Sequence, residues 1–272
     1  MLKITTLALG AAMFFGGALG MPPQSTTPDP VYYRDSDDTT YNGSGSGTAV
    51  IESWNIEYTT RSVDSHTLAY RYPSFSFSPA AGSCAAIGGG NLIGFFDRYY
   101  ENLIPNHVAG SPYANTFLYN QEDEAVFSTI ETLYDYMGTT SNGTTEDGFK
   151  SGINRYCREK GLSVTYSSCM KNGSLDYAKA QSYLDSNKPI VLFLSGYNVL
   201  SLANNQTYEY CTGYVSPNTH VMIGFGYKTY VYDGNRTYRY FAVGSGITGH
   251  SSGLYNIDYK TQINDALAVN IY

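Results

Sequence analysis

Cys84 and His220 have the residue types and sequence settings for nucleophilic chemistry. Cys84 follows the small-residue turn Gly82-Ser83. It opens the run Cys84-Ala85-Ala86-Ile87-Gly88-Gly89-Gly90-Asn91-Leu92-Ile93-Gly94-Phe95-Phe96, which predicts a buried helix. A cysteine at a helix start meets amide hydrogens and partial positive charge, and both favour thiolate over thiol. Far downstream, His220 opens the apolar run His220-Val221-Met222-Ile223-Gly224-Phe225-Gly226-Tyr227, which predicts a rigid strand. Such a pair can run acyl transfer: the imidazole takes the thiol proton, the sulfur attacks a carbonyl, and the imidazolium protonates the leaving amine. His66, His107 and His250 lie in polar stretches and are weaker candidates. The histidines and cysteines show no short spacing of zinc-ligand type, so no metal is expected.

The order of these segments resembles a known family. Cys84 on a helix is followed by Asn102-Leu103-Ile104-Pro105. A Gly-Thr-Thr helix start comes next at Gly143, and His220 to Tyr227 precede the final strands. This order is similar to the papain-like cysteine peptidases, in particular the bacterial secreted branch related to the bacteriocin-processing peptidases, over Ser74 to Tyr272. The resemblance implies an α+β, papain-like two-lobe fold, with a helical lobe carrying the cysteine and an antiparallel sheet lobe carrying the histidine. It also implies a peptide or protein substrate and no cofactor.

Two positions depart from that pattern. Relatives carry a Gln shortly before the cysteine to complete the oxyanion hole. Here Ser78 and Ala80 stand in that region, which leaves Ser78 as a candidate donor beside the Cys84 amide. A missing oxyanion donor costs ~3 kcal/mol of barrier in comparable sites. Relatives also place Asn or Asp on the strand returning beside the histidine. Reflecting His220 about the Asp233-Gly234 turn lands at 245–248, so Ser245 is the candidate third residue. These departures leave two other readings open. One is an acyltransferase or amidase on the same Cys–His pair. The other is a catalytically degenerate peptidase-fold binding protein on the cell surface or in the extracellular space, with its 28 tyrosines as contact surface.

The elements that must position these residues follow from periodicity. Helices are expected over 84–100 and over 122–137, the latter with Val126, Ile130, Leu133 and Met137 on one face. A third starts at Thr144 or Thr145, turns Phe149, Ile153, Tyr156 and Cys157 inward, and ends at Gly161. A fourth is expected over 175–184, capped by Ser174. Strands are expected over 162–166, 189–194, 219–232, 237–244, 254–258 and 266–271. Gly88-Gly89-Gly90 costs ~1 kcal/mol per glycine in a helix, so close packing against the sheet behind is the expected compensation.

Composition bounds the rest. Net charge is −7 with no basic cluster, which argues against nucleic-acid binding. Lys3, an apolar stretch and Ala18-Leu19-Gly20 predict a signal peptide over 1–20 and a secreted, extracellular protein. The apolar stretch is shorter than the ~20 residues of a spanning helix, so no stable membrane anchor is expected. Residues 21–47, rich in Pro, Asp, Gly and Ser, are expected to be a disordered linker or tail, and 48–272 the catalytic domain. With Cys84 as nucleophile, a single disulfide is expected between Cys169 and Cys211, with Cys157 free on its apolar helix face. The oligomeric state stays open.

Overall fold

Asp233 and Gly234 both adopt left-handed backbone, at φ 53° and 73°, and turn the chain back on itself in the hairpin around which the sheet is built. The computed structural model describes residues 31–33, 49–69, 71–100, 102–107, 109 and 124–272. The expected signal peptide lies outside the described residues, as does all of the expected 21–47 linker except Val31 to Tyr33.

The described strands are β1 (Tyr32–Tyr33), β2 (Val50–Glu57), β3 (Arg61–Thr67), β4 (Thr144–Thr145), β5 (Val164–Ser168), β6 (Met170–Lys171), β7 (Ser174–Leu175), β8 (Ile190–Asn204), β9 (Tyr208–Tyr232), β10 (Arg236–Gly244), β11 (Ser252–Asn256) and β12 (Gln262–Ile271). The described helices are α1 (Cys84–Asp97), α2 (Glu124–Tyr136), α3 (Glu146–Glu159) and α4 (Tyr177–Asp185).

One eight-stranded antiparallel sheet dominates, in the order β2-β9-β10-β11-β8-β12-β5, with β3 also paired to β9. The 25-residue β9 is its spine. It pairs with β8 and β2 toward its start and with β10 and β3 toward its end. β8, β9, β10 and β11 close into a ring through the Leu254–Leu200 pairing. Ile190 to Leu194 are all buried, as expected of a central strand covered on both faces.

The expected papain-like division into a helical lobe and a sheet lobe is not what forms. Instead α1 lies directly on β9, and its apolar residues share one core with the sheet, α2 and α3. The cause is legible in α1 itself: all fourteen residues are buried, so every face needs a covering partner. The glycines permit this. A Cβ on Gly88 would sit 3.2 Å from Val221 Cγ1 of the sheet, one on Gly89 2.8 Å from Met137 Cε, and one on Gly90 2.6 Å from Ile130 Cγ1. The glycine run therefore admits neighbours from the sheet and from the helices, not from the sheet alone.

Local details differ in instructive ways. α3 starts as expected, with the Thr145 hydroxyl accepting from Gly148 N at 3.0 Å. α4 is capped by Asp176, whose carboxylate accepts from Lys179 N at 3.1 Å, while Ser174 lies in β7. β9 begins eleven residues before the expected 219, because Tyr208 pairs with β2 and Glu209 to Val215 find partners in both β2 and β8.

Candidate functional site

The start of α1 is held by a tight turn. Gly82 sits at φ 81°, and a Cβ there would meet Gly143 N at 2.8 Å, so only glycine lets the turn rest on the 140–143 segment. Tyr134 donates its hydroxyl to Ala81 O at 3.2 Å from the other side. The Ser83 hydroxyl bonds to the backbone of Ala80 and makes no cap to the helix. Further along, Asn91 accepts from Phe75 N at 2.6 Å and donates to Phe75 O at 3.1 Å, fixing the chain before the cysteine against the helix.

His220 lies on β9 opposite Leu194, fully buried. Irregularities in the ladder bracket it. One falls between Ser195 and Tyr197, where Gly196 has φ 72°, and the other between Ala242 and Val243. Such bulges re-aim side chains. Here the first delivers Tyr197 onto the imidazole, with ring centroids 4.5 Å apart and planes 27° from parallel.

Ser245 does meet His220, but through a different atom from the one expected. The imidazole Nε2–H donates to the Ser245 carbonyl at 2.6 Å. The Ser245 hydroxyl is engaged elsewhere, donating to His250 O at 2.5 Å and accepting from Ile247 N at 3.1 Å. A carbonyl can only accept, so this bond fixes the tautomer of the neutral ring and gives Nδ1 the lone pair.

α1 crosses β9 within a turn of Cys84 and one residue of His220. Gly88, one turn beyond Cys84, rests against Val221, the residue after His220. Ile87 packs beside Gly246, the residue after Ser245. Tyr33 lies nearby: burial raises its pKa, the Asn264 bond opposes the rise, and the charges of Glu146, Asp265 and Cys84 add to it. Its neighbour Tyr32 accepts a hydrogen bond from Thr219, the residue before His220. Tyr197, Tyr32 and Tyr33 were not singled out by the sequence. The strand preference of the 189–204 region could have suggested Tyr197, but its aim depends on the bulge.

Ser78 does not stand ready as an oxyanion donor, because its hydroxyl donates to Ala80 O at 3.0 Å. The expected Cys169–Cys211 disulfide is not formed: both cysteines are free, and all four cysteines are buried. Cys169 donates its backbone N–H to Ala266 O beside β12, whereas Cys211 lies in a separate cluster between Trp54 of β2 and Leu202 of β8. Cys169 does lie between strands, in the break between β5 and β6, whereas Cys211 lies within β9, where alternation turns exposed Tyr210 outward and the cysteine inward. Burial pushes the thiol pKa up to about 12 at Cys157, about 11 at Cys169 and about 12 at Cys211.

Among the described residues no cluster of His, Cys, Asp and Glu is arranged to hold a metal, and no helix is long and apolar enough to cross a membrane. No protein-family model matches the chain, and neither a curated protein nor a solved structure matches it.

Proposed function

We propose that this chain is a thiol hydrolase acting on peptide or amide bonds, with Cys84 as nucleophile and His220 as the group that moves the proton. The observation that carries this reading is the His220–Ser245 hydrogen bond of 2.6 Å at the crossing of α1 and β9. It locks a buried imidazole with Nδ1 as its basic nitrogen, beside the helix that begins at Cys84. The stack with Tyr197 restrains the ring further. The apolar N-terminal stretch ending in Ala18-Leu19-Gly20 supports an exported site of action.

In the first half-reaction His220 Nδ1 takes the Cys84 proton. The thiolate sulfur bonds to the substrate carbonyl carbon, and the carbonyl electron pair moves onto oxygen. The positive end of the α1 dipole favours both the thiolate and this oxyanion. As the carbonyl re-forms, the C–N bond breaks and the imidazolium gives its proton to the departing amine. Water then attacks the thioester, its proton passing to His220, and the carboxylic acid leaves as sulfur recovers the electron pair. No cofactor takes part in these steps.

Native alkylation with iodoacetamide, read by peptide mass spectrometry, tests the pair. Cys84 should react ahead of Cys157, Cys169 and Cys211, whose thiols burial holds protonated. His220→Ala should slow that reaction about tenfold or more at about pH 6, where an unassisted thiol is almost wholly protonated. Cys84→Ala should fold normally and lose hydrolysis of fluorogenic peptide amides. A Cys84 no more reactive than the three buried thiols, or one indifferent to His220→Ala, overturns the reading.

A further inference from the structure

A short piece of peptide already lies between β4 and Thr219 of β9. Tyr32 and Tyr33 make up β1, which pairs antiparallel with β4 in the register Tyr32–Thr145 and Tyr33–Thr144 and, among the described residues, belongs to no other sheet. A second element, β9, also holds the dipeptide: Thr219 donates its hydroxyl to Tyr32 O at 3.1 Å. The Tyr33 side chain turns inward and is 3% exposed, while Tyr32 is 48% exposed. The Tyr33 ring lies 5.0 Å from Phe193, which in turn meets Phe149 edge-on at 5.5 Å. Asn264 reaches the Tyr33 hydroxyl at 3.4 Å and is itself anchored to Ser195 at 2.7 Å.

This is how an added strand is recognised. The main chain is gripped by a strand edge and a hydroxyl, one side chain fills a pocket, and the next points to solvent. The pocket is aromatic along its length and polar at its end. Glu146 and Asp265 act on the Tyr33 hydroxyl through their charge, so the pocket disfavours a residue carrying negative charge.

We infer that the groove between β4 and Thr219 is a binding site for extended peptides carrying a tyrosine or phenylalanine, and that Tyr32-Tyr33 is its resident intramolecular occupant. That such peptides are substrates rests on the thiol-hydrolase reading, whereas their binding does not. Because the occupant is tethered, its effective concentration is about millimolar, and a free peptide competes poorly until the occupant is weakened.

Fluorescence anisotropy in a Cys84→Ala background tests binding with chemistry removed. The probe is a labelled peptide of the sequence Asp-Pro-Val-Tyr-Tyr-Arg-Asp-Ser, which is residues 29–36. Tyr33→Ala should bind it at least tenfold more tightly than the Tyr33 protein. Versions of the probe with the second tyrosine replaced by alanine or phosphotyrosine should bind at least tenfold more weakly than the parent. A second variant leaves the pocket and its occupant intact. Tyr32→Cys with Thr145→Cys, oxidised, ties β1 to its observed partner and should exclude the probe, and reduction should readmit it. Equal affinity of the probe for Tyr33→Ala and the parent, or for the oxidised and reduced double variant, overturns the inference. Tight binding without hydrolysis when Cys84 is restored overturns the hydrolase reading and leaves the groove standing. Hydrolysis with no preference for an aromatic residue does the reverse.

Discussion

The middle of β9 and its start each bury a titratable side chain, and they satisfy it in opposite ways. In the middle, His220 to Tyr227 are eight consecutive buried residues, and the imidazole is held by the neutral carbonyl of Ser245. Near the start, Glu209 is buried to 2% exposure and held by charge. Arg61 Nε lies 2.9 Å from its carboxylate, and Tyr232 donates to it at 3.1 Å. A carboxylate matched to a guanidinium and a phenol is held by an opposite charge, and removing either partner leaves a buried polar group poorly satisfied. An imidazole donating to a carbonyl is fixed in orientation by a neutral acceptor. The two sites therefore differ in what satisfies a buried polar group: an opposite charge and a phenol at Glu209, a neutral carbonyl at His220.

The largest effect should come from breaking the Glu209 site. Arg61→Ala leaves Glu209 with the Tyr232 hydroxyl alone, and uncompensated burial of a charge costs about 3 kcal/mol. Urea unfolding should show a loss of that size, with alkylation of Cys84 unchanged in the folded protein. Replacing both partners, as Arg61→Met with Glu209→Leu, should recover most of the loss, because no buried charge remains. If the single and double variants are equally unstable, Glu209 is not held by charge and the contrast with His220 fails.

A smaller effect should sharpen the other side of the comparison. Gly88→Ala adds a methyl 3.2 Å from Val221 Cγ1, one residue from His220. Alanine favours the helix by ~1 kcal/mol over glycine, which offsets most of the crowding. Stability should therefore stay within ~1 kcal/mol of the parent. The few tenths of an ångström by which α1 must lift should lower kcat/KM for a peptide amide about tenfold, since reacting groups tolerate little displacement. An unchanged rate would mean that the helix–strand spacing at this crossing does not set the chemistry.

What could be read from sequence was what depends on near neighbours. The α1 start at Cys84 and the Asp233-Gly234 turn both came from local residue types, and both formed. Ser245 was reached by counting back from that turn, which works because antiparallel register is nearly arithmetic. The count could not tell carbonyl from hydroxyl, a choice made by the turn in which Ser245 bonds to Ile247 and His250. The two-lobe expectation failed at longer range. Nothing near Leu200 or Leu254 announces that they pair and close a ring, and nothing in α1 alone names the three partners that cover it. Tyr33 was lost in a stretch of Pro, Asp, Ser and Gly, where two adjacent tyrosines offer no period to read, so its burial became visible only beside β4 and Phe193.

The smallest effect concerns the carboxyl group at the end of the Tyr33 pocket. Burial, reinforced by Glu146, raises the Asp265 pKa to about 6, and burial raises Asp97, at the far end of α1, to about 6 as well. An unfolded aspartate titrates near 4. The folded state thus holds more protons than the unfolded one between about pH 4 and 6, and stability falls as pH rises through that window. The contribution is fully present below about pH 4 and is gone above about pH 6. Asp233 works the other way: its carboxylate accepts from Thr59 N and Thr60 N and pairs with Arg236, which holds its pKa well below the usual range, so its share is lost only at more acidic pH. Asp265→Asn keeps an oxygen to accept from Ala266 N, now at 2.8 Å, and removes the titration. Between about pH 4 and 6 the fall in Tm with rising pH should shrink by about half, the remainder belonging to Asp97 and disappearing in Asp97→Asn. At neutral pH Asp265→Asn should melt no lower than the parent, since the parent there holds a buried carboxylate beside Glu146. A slope that Asp265→Asn leaves unchanged would show that this carboxyl is already ionised across the window, and that the polar end of the Tyr33 pocket carries more negative charge than its surroundings imply.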